Sequence, residues 1–338
     1  MKSLLLNRTR ALHGVITSLT MLGALLTAPT FASAQTAYPS KPITMIVPFP
    51  AGGPTDIFGR LLLDSMSKSL GQNFVVENVG GSSGTVGMGR LARANADGYT
   101  IGVGTIGTHV IVPALSRKQP YDAITQFEPI GLIGSAGMTL VTRPSMPAKN
   151  LKEFVNWLKA NKDKARYGSG GIGSQAQYSC IMFLSTIGVE VTHVTYKGTA
   201  AVMADLVADK LDFTCDQPST TAQYVSERKI KAMAILSNEK MKQLPGVPTA
   251  ASQGYRDTNV RVWTAMFAPK GTPSAVIKKL NDAMIAATKD PQLSSQAKAL
   301  GLDFPTDFTS FPGTVSALIV LGNRKDAPLL QARKEYLD

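Results

Sequence analysis

The stretch Ile43-Thr-Met-Ile-Val-Pro-Phe-Pro-Ala-Gly-Gly-Pro-Thr-Asp56 decides the fold of this chain. The apolar run Ile43–Val47 predicts a strand, and the Gly-rich turn after it leads directly into an amphipathic helix. Backbone N–H groups at the start of a helix have no intrahelical acceptor and lie at the positive end of its dipole, so this turn is suited to bind a carboxylate or phosphate. The alternative interpretation is an ordinary connection, since Gly and Pro mark turns in many proteins.

The first 34 residues have the pattern of a secretory signal peptide. Three basic residues precede an apolar run from Val15 to Leu26, which ends at Ala32-Ser-Ala34, a small-x-small cleavage site. The run is shorter than the roughly 20 residues that cross a bilayer, and no later segment is long enough either. We therefore expect residues 1–34 to be removed after about Ala34, leaving a soluble, exported protein.

Composition limits the classes of function. The mature chain keeps 32 Lys and Arg against 23 Asp and Glu, a net charge of +9, which raises the local concentration of anions. These basic residues are scattered singly, without a run of five or interleaved aromatic residues, so no nucleic-acid partner is predicted.

The mature chain has two cysteines, Cys180 and Cys215, and two histidines, His109 and His193. An even number of cysteines in an exported protein favours one disulfide, between Cys180 and Cys215. So few histidines and cysteines supply a metal site poorly, and we predict neither a metal nor a cofactor.

Strand-like and helix-like segments alternate along the mature chain, which is the rhythm of βαβ units around mostly parallel sheets. The first helix is predicted over Ile57–Leu70 and ends at Gly71. A second series of elements begins at Leu151. Two apolar segments, Pro129–Thr142 and Val260–Pro269, are predicted to cross between two lobes, which suits the chain length.

Eight ordered stretches resemble the periplasmic solute-binding proteins of the tripartite tricarboxylate transporter family, the TctC or Bug group, over essentially the whole mature chain. They are Tyr38–Ile43, Val47–Asp56, Val76–Gly84, Ala96–Thr100, Tyr167–Gly173, Tyr196–Thr199, Leu244–Thr249 and Ala268–Pro273.

The resemblance implies an α/β, two-lobed periplasmic-binding-protein fold of the type II kind, each lobe a mostly parallel sheet flanked by helices, joined by two crossing strands. Residues 35–135 and 262–338 are expected to form the first lobe, and residues 136–261 the second. It also implies a monomer that binds a small carboxylated solute, including di- or aromatic carboxylates, and delivers it to membrane permease subunits of a tripartite tricarboxylate transporter.

The resemblance assigns ligand binding to one Gly-rich loop in each lobe. The residues are Phe49, Ala51, Gly52, Thr55 and Asp56 in the first loop, and Ser169, Gly170, Gly171, Ile172 and Gly173 in the second. Ligands of such sheets bind at the carboxyl ends of strands, which adds four candidates. These are Thr105, Thr108, Asp216 and Gln217. Polar side chains satisfied within turns are the alternative for these four.

Two other functions fit parts of the sequence. The motif Gly80-Gly-Ser-Ser-Gly84 matches the nucleophile elbow of a serine esterase, with Ser82 as nucleophile and His193 as base. This pattern is permissive in a chain with 30 glycines, and the family resemblance explains the same turn, so we predict no enzyme. A ligand-sensing protein that signals to a receptor differs from a transport protein only in its partner.

The chain departs from the family pattern in two places. Gln175-Ala-Gln-Tyr178 stands where many members have a His-Leu pair after the second loop, and the segment Val315–Leu321 is apolar where the family usually has a charged amphipathic helix. The first departure leaves undecided which residues contact that side of the ligand. The second predicts altered packing or a partner surface.

Overall fold

The computed structural model describes residues 38–116, 118, 121–305 and 312–332. The predicted signal peptide lies outside these residues. Within them, no helix combines the length and the hydrophobicity that crossing a bilayer requires.

The described chain contains eleven strands. They are β1 (Ile43–Val47), β2 (Phe74–Asn78), β3 (Thr100–Thr105), β4 (Phe127–Gly137), β5 (Thr139–Thr142), β6 (Arg166–Ser169), β7 (Thr192–Thr195), β8 (Phe213–Asp216), β9 (Lys231–Ile235), β10 (Arg261–Pro269) and β11 (Leu302–Asp303). Its α-helices are α1 (Pro54–Leu61), α2 (Leu63–Leu70), α3 (Thr85–Ala92), α4 (Val112–Leu115), α5 (Leu151–Asn161), α6 (Gln175–Ile187), α7 (Thr199–Val207), α8 (Pro218–Ser226), α9 (Ser274–Thr288), α10 (Pro291–Ala299), α11 (Pro312–Lys325) and α12 (Ala327–Ala332).

These strands form two sheets, which define the two lobes. The first lobe has a six-stranded sheet in the order β11-β4-β10-β3-β1-β2, and the second a five-stranded sheet in the order β7-β6-β8-β5-β9. β1 runs parallel to β2 and β3, and β6 runs parallel to β7 and β8. The remaining pairs are antiparallel, so both sheets are mixed. The predicted two-lobed α/β fold is confirmed, although "mostly parallel" overstates the parallel pairing.

Two strands connect the lobes, as the sequence predicts. All nine residues of β10 pair with β4, and β5 begins in the other sheet two residues after β4 ends. On the return path, the Val260 N–H donates to the Leu236 carbonyl oxygen, 2.7 Å away, and the Leu236 N–H donates to Met138. Because both crossings lie side by side, the lobes share one hinge. The lobe boundaries at residues 135–136 and 261–262 stay a prediction.

The predicted first helix is broken in the structure. β1 packs its fully buried Met45 and Val47 against the helices, and Gly71 ends α2 with a φ of 67°, as predicted. Leu62, however, separates α1 from α2, and its N–H donates to the Arg60 carbonyl instead of continuing a single helix. Leucine is a good helix former, so no sequence signal marks this break.

The predicted disulfide between Cys180 and Cys215 is present. Cys180 lies in α6 and Cys215 in β8, both side chains are fully buried, and their Cα atoms are 5.4 Å apart. The bond therefore fixes α6, the helix that follows the second-lobe loop, to the centre of its sheet.

We expect the double variant Cys180→Ser, Cys215→Ser to unfold at lower denaturant concentration. The disulfide joins residues 35 positions apart, and closing such a loop lowers the entropy of the unfolded chain by the equivalent of about 3–4 kcal/mol in the chain-entropy model. Denaturant titration measures the loss. Alkylation of the denatured, unreduced protein is the control, and finding two reactive thiols there would contradict the disulfide.

Candidate ligand-binding site

The first-lobe loop connects β1 to α1 and is held in shape by Asp56. The Asp56 carboxylate accepts hydrogen bonds from the Gly52 N–H at 2.9 Å, from Arg60 Nε at 2.8 Å and from Asn78 Nδ2 at 2.9 Å. Burial raises the pKa of Asp56, but these three donors outweigh it, and the pKa lies below its ordinary value. Asp56 is therefore ionised and holds the loop in shape, and its negative charge is compensated within the first lobe.

Gly52 shapes this loop and gives its N–H to Asp56, and the uncapped start of α1 leaves further backbone donors. Gly52 has a φ of 78°, which a residue with a side chain rarely adopts. Helix α1 has no side-chain cap at its N-terminus and starts with Pro54, so its first-turn N–H groups lack intrahelical acceptors. Phe49 is half-buried, Ala51 and Gly52 are exposed and Thr55 is buried. The first-turn donors of α1 thus lie beneath an exposed rim formed by Ala51 and Gly52.

The second-lobe loop follows β6 and leads into α6. Gly171 and Gly173 have φ values of 124° and 87°. The Gly173 N–H donates to Gln177 Oε1 at 2.6 Å, and Ser174 caps α6 by accepting from the Gln177 N–H at 3.2 Å. Gln177, which sequence reasoning did not select, therefore shapes this loop as Asp56 shapes the other.

The Ser169 hydroxyl is already engaged inside the second lobe. It is fully buried, lies 2.7 Å from His193 Nε2, donates to the Gly171 carbonyl at 3.0 Å and accepts from the Gly171 N–H at 3.2 Å. The His193 ring also stacks on Tyr167 with centroids 4.6 Å apart. His193 is thus a half-buried, hydrogen-bonded histidine of the second lobe, bonded to Ser169 and not to Ser82.

Thr105 and Thr108 form a closed turn after β3. The Thr105 N–H donates to Thr108 Oγ1 at 2.9 Å, and Thr108 Oγ1 lies 2.9 Å from His109 Nδ1. Both threonines are fully buried. This is the arrangement expected from the alternative interpretation, polar side chains satisfied within a turn.

Asp216 and Gln217 lie at the end of β8 and are 5% and 1% exposed. The Gln217 N–H donates to Asp216 Oδ1 at 2.7 Å. Burial raises the pKa of Asp216 to about 6, against hydrogen bonds from Gln217 and Thr199 that favour the carboxylate. Among the described residues, Gln217 Oε1 has no hydrogen-bond partner. A buried acceptor without a partner is costly, so this atom is suited to a donor from a ligand or a water.

The side chain of Gln175 connects Gln217, at the end of β8, to the hinge strand β10. Gln217 Nε2 donates to Gln175 Oε1 at 2.6 Å, and Gln175 Nε2 donates to the Trp263 carbonyl of β10 at 3.3 Å. Tyr178, one turn further along α6, is hydrogen-bonded to Asp326 beside α11, and burial raises the pKa of both groups. The first departure from the family pattern therefore contacts the other lobe at Trp263 and at Asp326, which lies five residues after the apolar segment Val315–Leu321.

The two loops face each other across a closed cleft. The Ser83 hydroxyl of the first lobe donates to the Ile172 carbonyl of the second-lobe loop. A Cβ on Gly107 would lie 2.7 Å from the Gly173 carbonyl oxygen, and a Cβ on Gly198 would lie 3.4 Å from Pro50 Cγ. The structure therefore brings the second-lobe loop against two turns of the first lobe, at Ser83 and at Gly107, while Pro50 of the first-lobe loop meets Gly198.

Comparison with known proteins identifies the class of this molecule. The model of the TctC family, the tripartite tricarboxylate transporter family receptor, matches residues 58–307. A UPF0065 protein from the TAR-I ttuE-ttuC' intergenic region of Agrobacterium vitis is 36% identical over 283 residues, which is 83% of this chain and 82% of that protein.

Two solved structures are similar over most of the chain. MatC (Rpa3494) from Rhodopseudomonas palustris with bound malate has 32% identity and a TM-score of 0.82, covering 87% of this chain and 100% of that one. R. palustris Rpa4515 with adipate has 26% identity and a TM-score of 0.82, covering 88% and 98%. This chain belongs to the TctC family of periplasmic solute-binding proteins, and the predicted family membership is confirmed.

Proposed function

We propose that this protein captures a small carboxylate in the periplasm and delivers it to the membrane subunits of a tripartite tricarboxylate-type transporter. It is exported with its signal peptide cleaved after about Ala34, and it acts as a monomer that performs no chemistry on the solute.

The observation that carries this proposal is the contact between the Gly-rich second-lobe loop and the first-lobe turn at Gly80–Gly84, which itself packs against Phe49 and Pro50 of the first Gly-rich loop. Each loop is followed by a helix, so the helix dipoles from two sides, and the uncapped first-turn N–H groups of α1, favour an anion between them. The carboxylate of Asp56 is paired with the Arg60 guanidinium and accepts two further hydrogen bonds, so it repels a bound anion only weakly. The malate and adipate ligands of the two similar structures support dicarboxylates as the solute class.

Binding without turnover fits the surroundings of the serine-esterase motif. An esterase would need His193 within hydrogen-bond reach of Ser82. His193 is instead held by Ser169 at 2.7 Å and by Gln177 at 3.3 Å, within the second lobe. Positions Ser82 and His193 therefore belong to different local structures.

A thermal-shift screen of C4 to C6 organic acids tests the proposed function. A ligand that binds only the folded state at 100 times its Kd stabilises by about 2.7 kcal/mol, so we expect malate, adipate or a related acid to raise the melting temperature by several degrees. Mass spectrometry of the released ligand should find it unmodified. Chemical conversion of the acid, or no shift with any acid of the panel, would contradict the proposal.

A further inference from the structure

The turn at residues 81–84 has an unusual backbone. Gly81, Ser82, Ser83 and Gly84 all have positive φ values, of 129°, 42°, 57° and 91°. Two of these four are serines, for which the left-handed region is unfavourable. Among the described residues, the other non-glycine residues with positive φ are Asp209 and Arg228. Such strain persists where the surroundings enforce it, and it often marks a functional position.

The same turn packs against the first-lobe loop. A Cβ on Gly84 would lie 2.9 Å from Thr108 Cγ2 and 3.3 Å from Phe49 Cζ, and a Cβ on Gly80 would lie 3.6 Å from Pro50 Cδ. These close approaches fix the turn against the loop that precedes α1. Any side chain that projects from the turn is therefore held in a defined position relative to that loop.

The two serines differ in what they contact. The Ser83 hydroxyl crosses the cleft and donates to the Ile172 carbonyl, whereas the Ser82 hydroxyl has no hydrogen-bond partner among the described residues. A Cβ on Gly171 would lie 3.2 Å from Ser83 Oγ, so the loop meets Ser83 where it has no side chain.

We propose that Ser83 is a positioning residue, by which the first lobe orients the ligand loop of the second lobe when the cleft closes. This inference rests on the proposed function. The peptide group between Ile172 and Gly173 is planar, so its two ends move together. Its carbonyl is held by Ser83 from the first lobe, and its N–H is held by Gln177 from the second. The second loop reaches its final geometry only when the lobes are closed.

Hydrogen exchange and calorimetry on three variants test this role. Ser83→Ala should speed the exchange of amides 170–174 and raise the Kd for malate or adipate about threefold to tenfold, the value of one neutral hydrogen bond, through faster dissociation. Ser82→Ala is the matched control because it has the same backbone strain, and both quantities should stay within about twofold. Ser83→Gly removes both the hydroxyl and the backbone strain. Its amides 170–174 should therefore exchange as fast as those of Ser83→Ala, while its melting temperature should be higher.

Equal effects of Ser82→Ala and Ser83→Ala would overturn the positioning role, as would unchanged exchange at 170–174 in Ser83→Ala. The exchange comparison needs no acid. If neither acid alters the wild-type protein while Ser83→Ala alone speeds exchange, the proposed carboxylate function fails and the role of Ser83 in the loop stands.

Discussion

Replacing Gly107 with alanine is expected to weaken carboxylate binding roughly tenfold to a hundredfold, with only a small loss of melting temperature in the free protein. The new Cβ would lie 2.7 Å from the Gly173 carbonyl oxygen, closer than Cβ atoms are found, and that oxygen is a backbone atom of the opposite lobe. The clash with Gly173 is relieved when the lobes separate, whereas the 3.1 Å approach of the new Cβ to Thr105 Oγ1 lies within the first lobe and needs only a small side-chain shift. Gly107 begins a helical turn and has no positive φ, so alanine is allowed there and favours the helix.

Calorimetry with malate and adipate, together with thermal melts of the unliganded protein, measures both effects. Gly246→Ala is the matched control, because a Cβ at Gly246 meets nothing within 4 Å and its φ is also not positive. If Gly107→Ala bound as tightly as wild type, the lobes would not need to approach as closely as they do in this structure.

The second large effect is a dependence of affinity on pH through Asp216. Its pKa of about 6 lies above the ordinary value because the carboxyl is buried, so the group is mostly ionised at pH 8 and half protonated near pH 6. A charged Asp216 beside the ligand would repel a carboxylate, and affinity should fall by up to about tenfold per pH unit above 6. Dicarboxylates remain mostly ionised over this range, so the protein and not the ligand sets the trend.

Asp216→Asn should bind as tightly at pH 8 as wild type binds at pH 6. The stability change has a defined sign: a raised acid pKa means that the native state binds more protons than the unfolded state, so wild-type stability falls as pH rises from about 4 to 6. The variant should lack this fall, which is worth roughly 2–3 kcal/mol. Asp64→Asn, an exposed carboxylate on α2, is the control. A flat wild-type affinity between pH 6 and 8 would mean that Asp216 does not face the ligand.

The sequence predicted the elements of this fold better than their pairing. The bounds of β1 and the end of α2 at Gly71 follow from hydrophobic pattern and glycine position, which are local signals. Strand direction depends on the path of the chain between lobes. β4 and β10 cross in opposite directions, so they add antiparallel pairs that no periodicity reveals.

The same limit applies to the site. Glycines marked both loops because the main chain must adopt unusual conformations there. Asp56 was placed in the first loop, but its role as a brace depends on Asn78 and Arg60, one of them 22 residues away. Ser83 was overlooked in favour of Ser82, since only the folded chain shows which hydroxyl reaches the other lobe. Serines flanked by glycines in a family-matched turn were the available signal.

In the proposed site, neutral main-chain groups of the two loops hold a carboxylate. Lys197 is an exposed cation directly before Gly198, the residue that meets Pro50 of the first-lobe loop. Calorimetric titration with malate and adipate beside their diamides, on wild type and on Lys197→Ala, is the most direct test. The diamides keep the shape of the acids and lose the charge. We predict that at least one acid binds with a stoichiometry of one, that its diamide does not bind measurably, and that Lys197→Ala changes the Kd by less than about threefold. Equal binding of acid and diamide, or loss of binding in Lys197→Ala, would contradict the claim.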